Sequence, residues 1–185
     1  VLYRFDTEDH TCTPIFENEE VSDNFDVLVV QGESLVGLSR KFGGTWNALL
    51  VDEPNNVVKR LNDNRIDEDI AATIGNQYIA IRAFGTIADR EKGNLLVDRF
   101  TGLAVDPLAV IEDCPCADVV YMLAIEDYVL YDCNNGERYI YSIAEKASYE
   151  IFYFINDVRA NDEYVFIHGG QSLFSFNKTT KVVEH

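Results

Sequence analysis

Apolar and polar positions alternate along this chain in short bursts, and the clearest burst is near its end. Asp162-Glu-Tyr-Val-Phe-Ile-His-Gly-Gly-Gln-Ser-Leu-Phe-Ser-Phe176 is an apolar run, a glycine turn and a second apolar run, the pattern of a β-hairpin. Leu173 opens the second run, and its counterparts are Leu2, Leu35, Tyr78 and Tyr128, at spacings of 33, 43, 50 and 45 residues. Gly32, Gly75 and Gly170 stand three positions before their anchors, where the fourth copy has Ile125. Val27, Ile70, Val120 and Val165 stand eight before, each opening a run rich in β-branched residues. Asp6, Asp132 and Asn177 stand four after and suit a closing turn. The three glycines are therefore expected to mark equivalent bends in copies of one unit.

A third apolar segment follows each hairpin, at 13–16, 46–51, 95–100, 139–143 and 181–183, and a fourth precedes most of them, at 57–61, 108–111 and 149–155. Four short strands in about 40–50 residues are the signature of a propeller blade. The chain resembles the β-propeller superfamily of kelch, PQQ-type and WD40-type repeats. The closest local likeness is to a kelch blade, in Tyr164-Val-Phe-Ile-His-Gly-Gly170 followed by Leu173-Phe-Ser-Phe176. No copy has the Trp-Asp pair of WD40 blades, and Cys12 has no C-terminal cysteine to match it as a hemopexin-like ring would need. The resemblance implies an all-β fold: a propeller, or a propeller fragment, of four to five blades built from short antiparallel strands. The chain is expected to be one domain, 1–185, with units at about 1–24, 25–56, 57–102, 103–148 and 149–185. Leu2-Tyr-Arg-Phe5 resembles Leu173-Phe-Ser-Phe176, so the first strand is a candidate to complete the last blade and close the ring.

Composition is ample for a core: 47% of the 185 residues are hydrophobic and 12% aromatic. No apolar run approaches the roughly 18 residues a membrane-spanning helix needs, so no membrane insertion is expected. No signal peptide opens the chain, and Val1 in place of Met reads as a processed product or an excised fragment. The net charge is −17, from 32 acidic and 15 basic residues. That repels nucleic-acid phosphates and anionic membrane surfaces. The acidic excess of residues 1–34 suits a cation site or a basic protein partner, and also a plain solubilising face, which is the reading taken. Cys114 and Cys116 flank Pro115 and cannot easily bridge each other; either could pair with Cys133, and reduced thiols, Cys12 included, are the alternative.

Candidate chemistry is sparse. His168, in an apolar strand before a double glycine, would sit at a propeller mouth or simply be a satisfied strand residue. His10, in Asp6-Thr-Glu-Asp-His10, matches no metal-ligand spacing. The run 62–69 lacks the glycine and closing glutamate of an EF-hand. No nucleophile elbow, phosphate loop or dinucleotide fingerprint occurs, and Cys114-Pro-Cys116 is not a zinc or redox motif. Asn177-Lys-Thr179 fits a glycosylation sequon. Tyr139, Tyr141, Tyr149 and Tyr153 alternate as on one strand face, for a core or for a sugar. No catalytic, metal or cofactor residue is assigned.

The expected function is therefore a non-catalytic binding or structural module, with a protein partner or self-assembly through loops at one rim; a virion or surface component would fit such a chain. A lectin-like propeller that binds glycans is the alternative. A hydrolase or lyase using paired loop carboxylates is the third.

Overall fold

In the computed structural model, residues 2–16, 25–31, 34–40, 46–52, 57–60, 70–83, 94–152 and 155–184 are described. Eighteen short strands are ordered among them. A first hairpin, β1 (Leu2–Phe5) and β2 (Cys12–Phe16), is followed by four antiparallel meanders in which each strand pairs with the next in sequence. The first meander is β3 (Phe25–Gln31), β4 (Ser34–Arg40), β5 (Trp46–Asp52) and β6 (Val57–Arg60); the second is β7 (Ile70–Ile74), β8 (Tyr78–Ala83), β9 (Leu95–Asp98) and β10 (Ala104–Val105). The third is β11 (Val119–Ile125), β12 (Tyr128–Cys133), β13 (Arg138–Ser142) and β14 (Ala147–Glu150). The fourth is β15 (Asp157–Ala160), β16 (Tyr164–Gly169), β17 (Ser172–Asn177) and β18 (Val183–Glu184). The one helix among the described residues, α1 (Pro107–Val110), is a single turn. The chain is all-β, a propeller-like repeat of antiparallel strands.

The first strands follow one another in space: β7 lies beside β3 and β4, β11 beside β7 and β8, and β15 beside β11. This stacking makes two cores from one sheet. Met122, Ala124, Val129, Tyr131 and Tyr141 face the second meander, meeting Tyr78, Ala80 and Leu96. Leu123, Tyr128, Leu130 and Ile140 face the fourth, meeting Val165, Ile167, Phe174 and Phe176. Strand residues point alternately to the two faces, so a sheet covered on both sides needs apolar residues at both parities. That accounts for the unbroken runs Val-Val-Tyr-Met-Leu-Ala-Ile in β11 and Tyr-Val-Leu-Tyr in β12.

The repeat is real, but its expected alignment slips in the last copy. Leu35, Tyr78 and Tyr128 lie at the start of second strands, whereas Leu173 lies in the third strand of its sheet. Gly75 therefore ends a first strand while Gly170, in the left-handed region at φ 64°, turns a second strand into a third. The two bends are not equivalent, and Gly32 lies outside the described residues. Asp132 is not a turn residue either; it pairs with Arg138 inside the β12–β13 ladder. Residues 57–60 and 147–150 close the sheets before them rather than opening new ones. Residues 107–110 are helical because Asp106 accepts the Leu108 amide (3.0 Å) and Pro107 sits at the first helical position.

A different turn marks the period. Between third and fourth strands, Asp98 Oδ1 accepts the amides of Phe100 and Thr101 (3.1 and 2.8 Å), Gly102 is left-handed (φ 68°), and the Asp98 amide donates to the Leu103 carbonyl (3.0 Å). Asn177 repeats this, accepting from Thr179 and Thr180 (both 2.9 Å), with Lys181 at φ 62° and a bond to the Val182 carbonyl (2.9 Å). Ser142 repeats it through Glu145 (3.3 Å), with Lys146 at φ 54°. The β1–β2 turn is the same object: Asp6 accepts from Glu8 and Asp9 (2.8 and 3.4 Å), His10 has φ 58°, and the Asp6 amide donates to the Thr11 carbonyl (2.9 Å). Asp52 pairs with Val57 at the same separation. Asp6, Asp52, Asp98, Ser142 and Asn177 are thus 46, 46, 44 and 35 residues apart. By this mark β1 and β2 correspond to third and fourth strands.

The first strand does not complete the last sheet. Leu2–Phe5 pairs with Cys12–Phe16, and the fourth position of the last meander is taken by its own Val183–Glu184.

Candidate functional site

A meander returns its first–second and third–fourth turns to one end, so residues 75–77, 99–103, 126–127, 143–146, 161–163 and 178–182 share a rim. Glu126 ties it together. Its backbone is left-handed (φ 47°), a conformation costing a non-glycine residue roughly 1–2 kcal/mol, so its surroundings must hold it there. Its carbonyl accepts the Asn76 amide (2.7 Å), beside a parallel bridge to Gly75. Its carboxylate takes the Lys178 ammonium, which also donates to the Asn161 carbonyl. One residue thereby joins the second, third and fourth meanders. With Lys178 only 15% exposed and Glu126 32%, this pair is partly desolvated and unlike the exposed pairs worth about 0–1 kcal/mol.

Further bonds stiffen the rim. Asn76 Nδ2 donates to Asp127 Oδ1 (3.1 Å), and Arg99 donates to the Gly75 carbonyl (3.1 Å). Lys181 reaches Glu145 (2.9 Å) and lies 5.9 and 6.0 Å from the ring centres of Tyr149 and Tyr128. The Lys181 bond, then the Tyr149 hydroxyl, hold the Glu145 carboxyl below its usual range. Lys146 pairs with Glu112 (2.6 Å). The three rim lysines are thus all matched to carboxylates. Asp127, Asp162 and Glu163 are exposed and form no ion pair with a described lysine or arginine, so among the described lysines and carboxylates of these turns the unmatched charge is negative.

The opposite end has its own fastening. Arg82 of β8 donates to the Asn156 carbonyl (3.0 Å), and its guanidinium lies 5.1 Å from the ring centre of Tyr121, whose hydroxyl donates to the same carbonyl (3.4 Å). Burial pulls the Arg82 pKa down, opposed by Asp157. Asp132 lies at this end too, beside the β12–β13 turn, with Oδ2 3.3 Å from Arg138 Nε. Burial raises its pKa to about 6, more than the Arg138 charge lowers it.

The expected site residues are dispersed. His10 is an exposed turn residue, and His168 is exposed on β16, opposite Asp157 and Leu173. Tyr141 is buried and Tyr139 stacks on Tyr131 (5.4 Å), whereas Tyr149 packs on Phe176 (5.5 Å) in the other core. The two sets therefore occupy opposite faces rather than one, and they are packing surface; Tyr153 lies outside the described residues. Cys116 pairs with Cys133 across a Cα separation of 5.3 Å, leaving Cys12 and Cys114 as thiols. The acidic stretch 17–24 and the run 62–69 lie outside the described residues. Among the described residues no three His, Cys, Asp or Glu side chains are grouped to hold a metal, and no helix is long and apolar enough to cross a membrane.

Sequence reasoning missed Glu126 and Lys178. The only sequence signal for them is positional: Glu126 opens the two-residue turn between β11 and β12, and Lys178 opens the polar turn after β17.

No protein-family model matches the chain, and no curated protein matches it. Similar solved structures include HIRA(644-1017), with TM-score 0.45 and 8% identity over 88% of this chain and 56% of that one. The extracellular domain of the hybrid two-component system BT3049 from B. thetaiotaomicron is similar at TM-score 0.44 and 12% identity, over 91% of this chain and 25% of that one. The computationally designed Ika4 protein is similar at TM-score 0.44 and 11% identity, over 93% and 96%. The chain thus spans about half of the HIRA fragment and a quarter of the BT3049 domain.

Proposed function

We propose that the meanders are blades of a β-propeller or propeller fragment acting as a non-catalytic binding module, with a basic surface of a protein partner docking on the rim of paired turns. The observation that carries this reading is the rim itself. Turns from three successive sheets are cross-tied through Glu126, their lysines are consumed internally, and Asp127, Asp162 and Glu163 are left facing solvent. Rigid turns on a sheet scaffold suit recognition, and an unmatched negative rim selects positive partners and speeds their encounter.

The test is quantitative capture with the wild-type protein, a rim variant Asp127→Lys/Asp162→Lys/Glu163→Lys, and a control variant Glu137→Lys at the opposite end. A basic partner retained by wild type and control, lost with the rim variant and weakened by salt, supports the proposal. An inert monomer, or binding that survives rim reversal, overturns it.

A further inference from the structure

We infer that Cys114 is a thiol–disulfide exchange site, the sulfur through which a small dissolved thiol reaches the buried Cys116–Cys133 bond. The inference is independent of the rim reading and rests on three sulfurs gathered on one face of the third meander. Cys133 ends β12 and is bonded to Cys116 across a Cα separation of 5.3 Å. Cys133 and Cys116 are 2% and 8% exposed in the core shared with the second meander, and Cys114 packs half-buried against the same core.

Pro115 accounts for the gathering. A residue before proline is driven extended, and in extended chain residues two apart point to one side, so Cys114 and Cys116 turn to β12 together. The Tyr131 hydroxyl, two residues before Cys133, registers the Cys114 sulfur. Burial raises the Tyr131 pKa, the 2.9 Å bond with Ser148 lowers it, and Cys114 raises it again. The segment is also fastened without the disulfide. Ile111 is buried in the same core, Glu112 holds Lys146 (2.6 Å), and the Asp118 carbonyl accepts the Asn134 amide (3.1 Å). A bond moved from Cys116 to Cys114 therefore leaves the segment on the sheet.

The thiolate is the nucleophile of such an exchange. Cys114 loses its proton to water and attacks Cys133 Sγ; the Cys114–Cys133 bond forms, the Cys116–Cys133 bond breaks, and Cys116 leaves as a thiolate that takes up a proton. No electron is gained or lost by the chain in this step. The Cys116 bond, with both sulfurs in the core, is the resting one, and the Cys114 bond is an intermediate with one half-buried sulfur. Access to that sulfur governs the next attack. One sulfur of a dissolved dithiol bonds to Cys114 and releases Cys133; its second sulfur then closes on the first and releases Cys114. The bond in the chain is thereby reduced to thiols, and the dithiol is oxidised to its cyclic disulfide.

The experiment reduces the full chain with dithiothreitol, quenches aliquots in acid, alkylates the free thiols and maps the linked peptides by mass spectrometry. Loss of the Cys116–Cys133 peptide should be about tenfold or more slower in Cys114→Ser than in wild type, because the direct route meets two buried sulfurs. Cys12→Ser, which removes the exposed thiol on β2, should match wild type. Partly reduced wild type should contain a Cys114–Cys133 peptide, and this reading survives even if Cys114→Ser fails to fold. Rim reversal should leave both results intact. Reduction of folded Cys114→Ser at the wild-type rate, or no Cys114–Cys133 peptide at any stage, overturns the inference. Equal slowing by Cys12→Ser also overturns it, because the relay then runs between molecules.

Discussion

Gly75 sits where the second and third meanders touch through its bridge to Glu126, and replacing it with alanine tests how tightly they are fastened. A Cβ built there lies 2.7 Å from the Glu126 carbonyl oxygen, 3.2 Å from that of Tyr78 and 3.4 Å from Ala124 Cβ. The first two are backbone atoms already engaged, by the Asn76 amide at 2.7 Å and the Gly75 amide at 2.8 Å, so neither can swing aside as a side-chain tip would. Gly75 is not among the positive-φ glycines, and alanine meets no dihedral penalty; the cost is overlap alone. Overpacking of this kind costs about 1–3 kcal/mol, and alanine recovers about 0.4–1 kcal/mol by restricting the unfolded chain. The expected net loss is about 1–2 kcal/mol, a Tm drop of roughly 2–8 °C at this chain length. Thermal unfolding gives the drop, and faster exchange of the Asn76 amide localises it. Gly136→Ala is the contrast: nothing lies within 4 Å of its Cβ, but its φ is 87°, so it should lower Tm without disturbing Asn76. An unchanged Tm for Gly75→Ala, with Asn76 exchange as in wild type, would refute the close fastening of the two sheets.

Asp132→Asn reports on buried charge. Because burial raises the folded-state pKa from 3.8 to about 6, the folded state holds this proton more tightly than the unfolded one. The associated stability is present below pH 4 and is lost as pH rises through 6. The Tm of wild type relative to Asp132→Asn should therefore fall between pH 4 and 6 and level off by pH 7; a difference independent of pH would contradict the assignment. Cys116→Ser should cost about 2–4 kcal/mol in denaturant melts without reductant, as expected for a loop of this length. With reductant, wild type should converge on the variant, and indifference of wild type to reductant would speak against the Cys116–Cys133 bond.

Much of the strand pattern was legible, and what escaped has physical causes. Hairpins around Leu35, Tyr78 and Tyr128 are plain in the apolar runs, because apolar alternation and short polar turns are local signals. The apolar pattern alone aligns the last hairpin one strand out. A two-residue turn looks the same whether it joins first to second strands or second to third, and Gly170 resembles Gly75 only in residue type. The safer mark is Asp6, Asp98, Ser142 and Asn177, hidden because three different side chains do one job, accepting amides two or three residues on. Simple alternation in the sequence puts Tyr149 on the face of Tyr139 and Tyr141. The four-residue turn after Ser142 pairs it with Ala147 and sets Tyr149 opposite Ile140, on the other side of the sheet. Of the rim, sequence showed the turns but not the Glu126–Lys178 pair, which depends on how separate sheets stack.

The third meander has no face of its own. Both of its surfaces belong to cores shared with neighbours, so any substitution in β11, β12 or β13 is felt by one adjoining sheet or the other. The fourth meander instead keeps alternation, burying Val165, Ile167, Phe174 and Phe176 while leaving Leu173 60% exposed. Heat or denaturant should accordingly loosen the chain from its flanks, with the central sheet acting as a keystone whose release ends cooperativity on both sides at once.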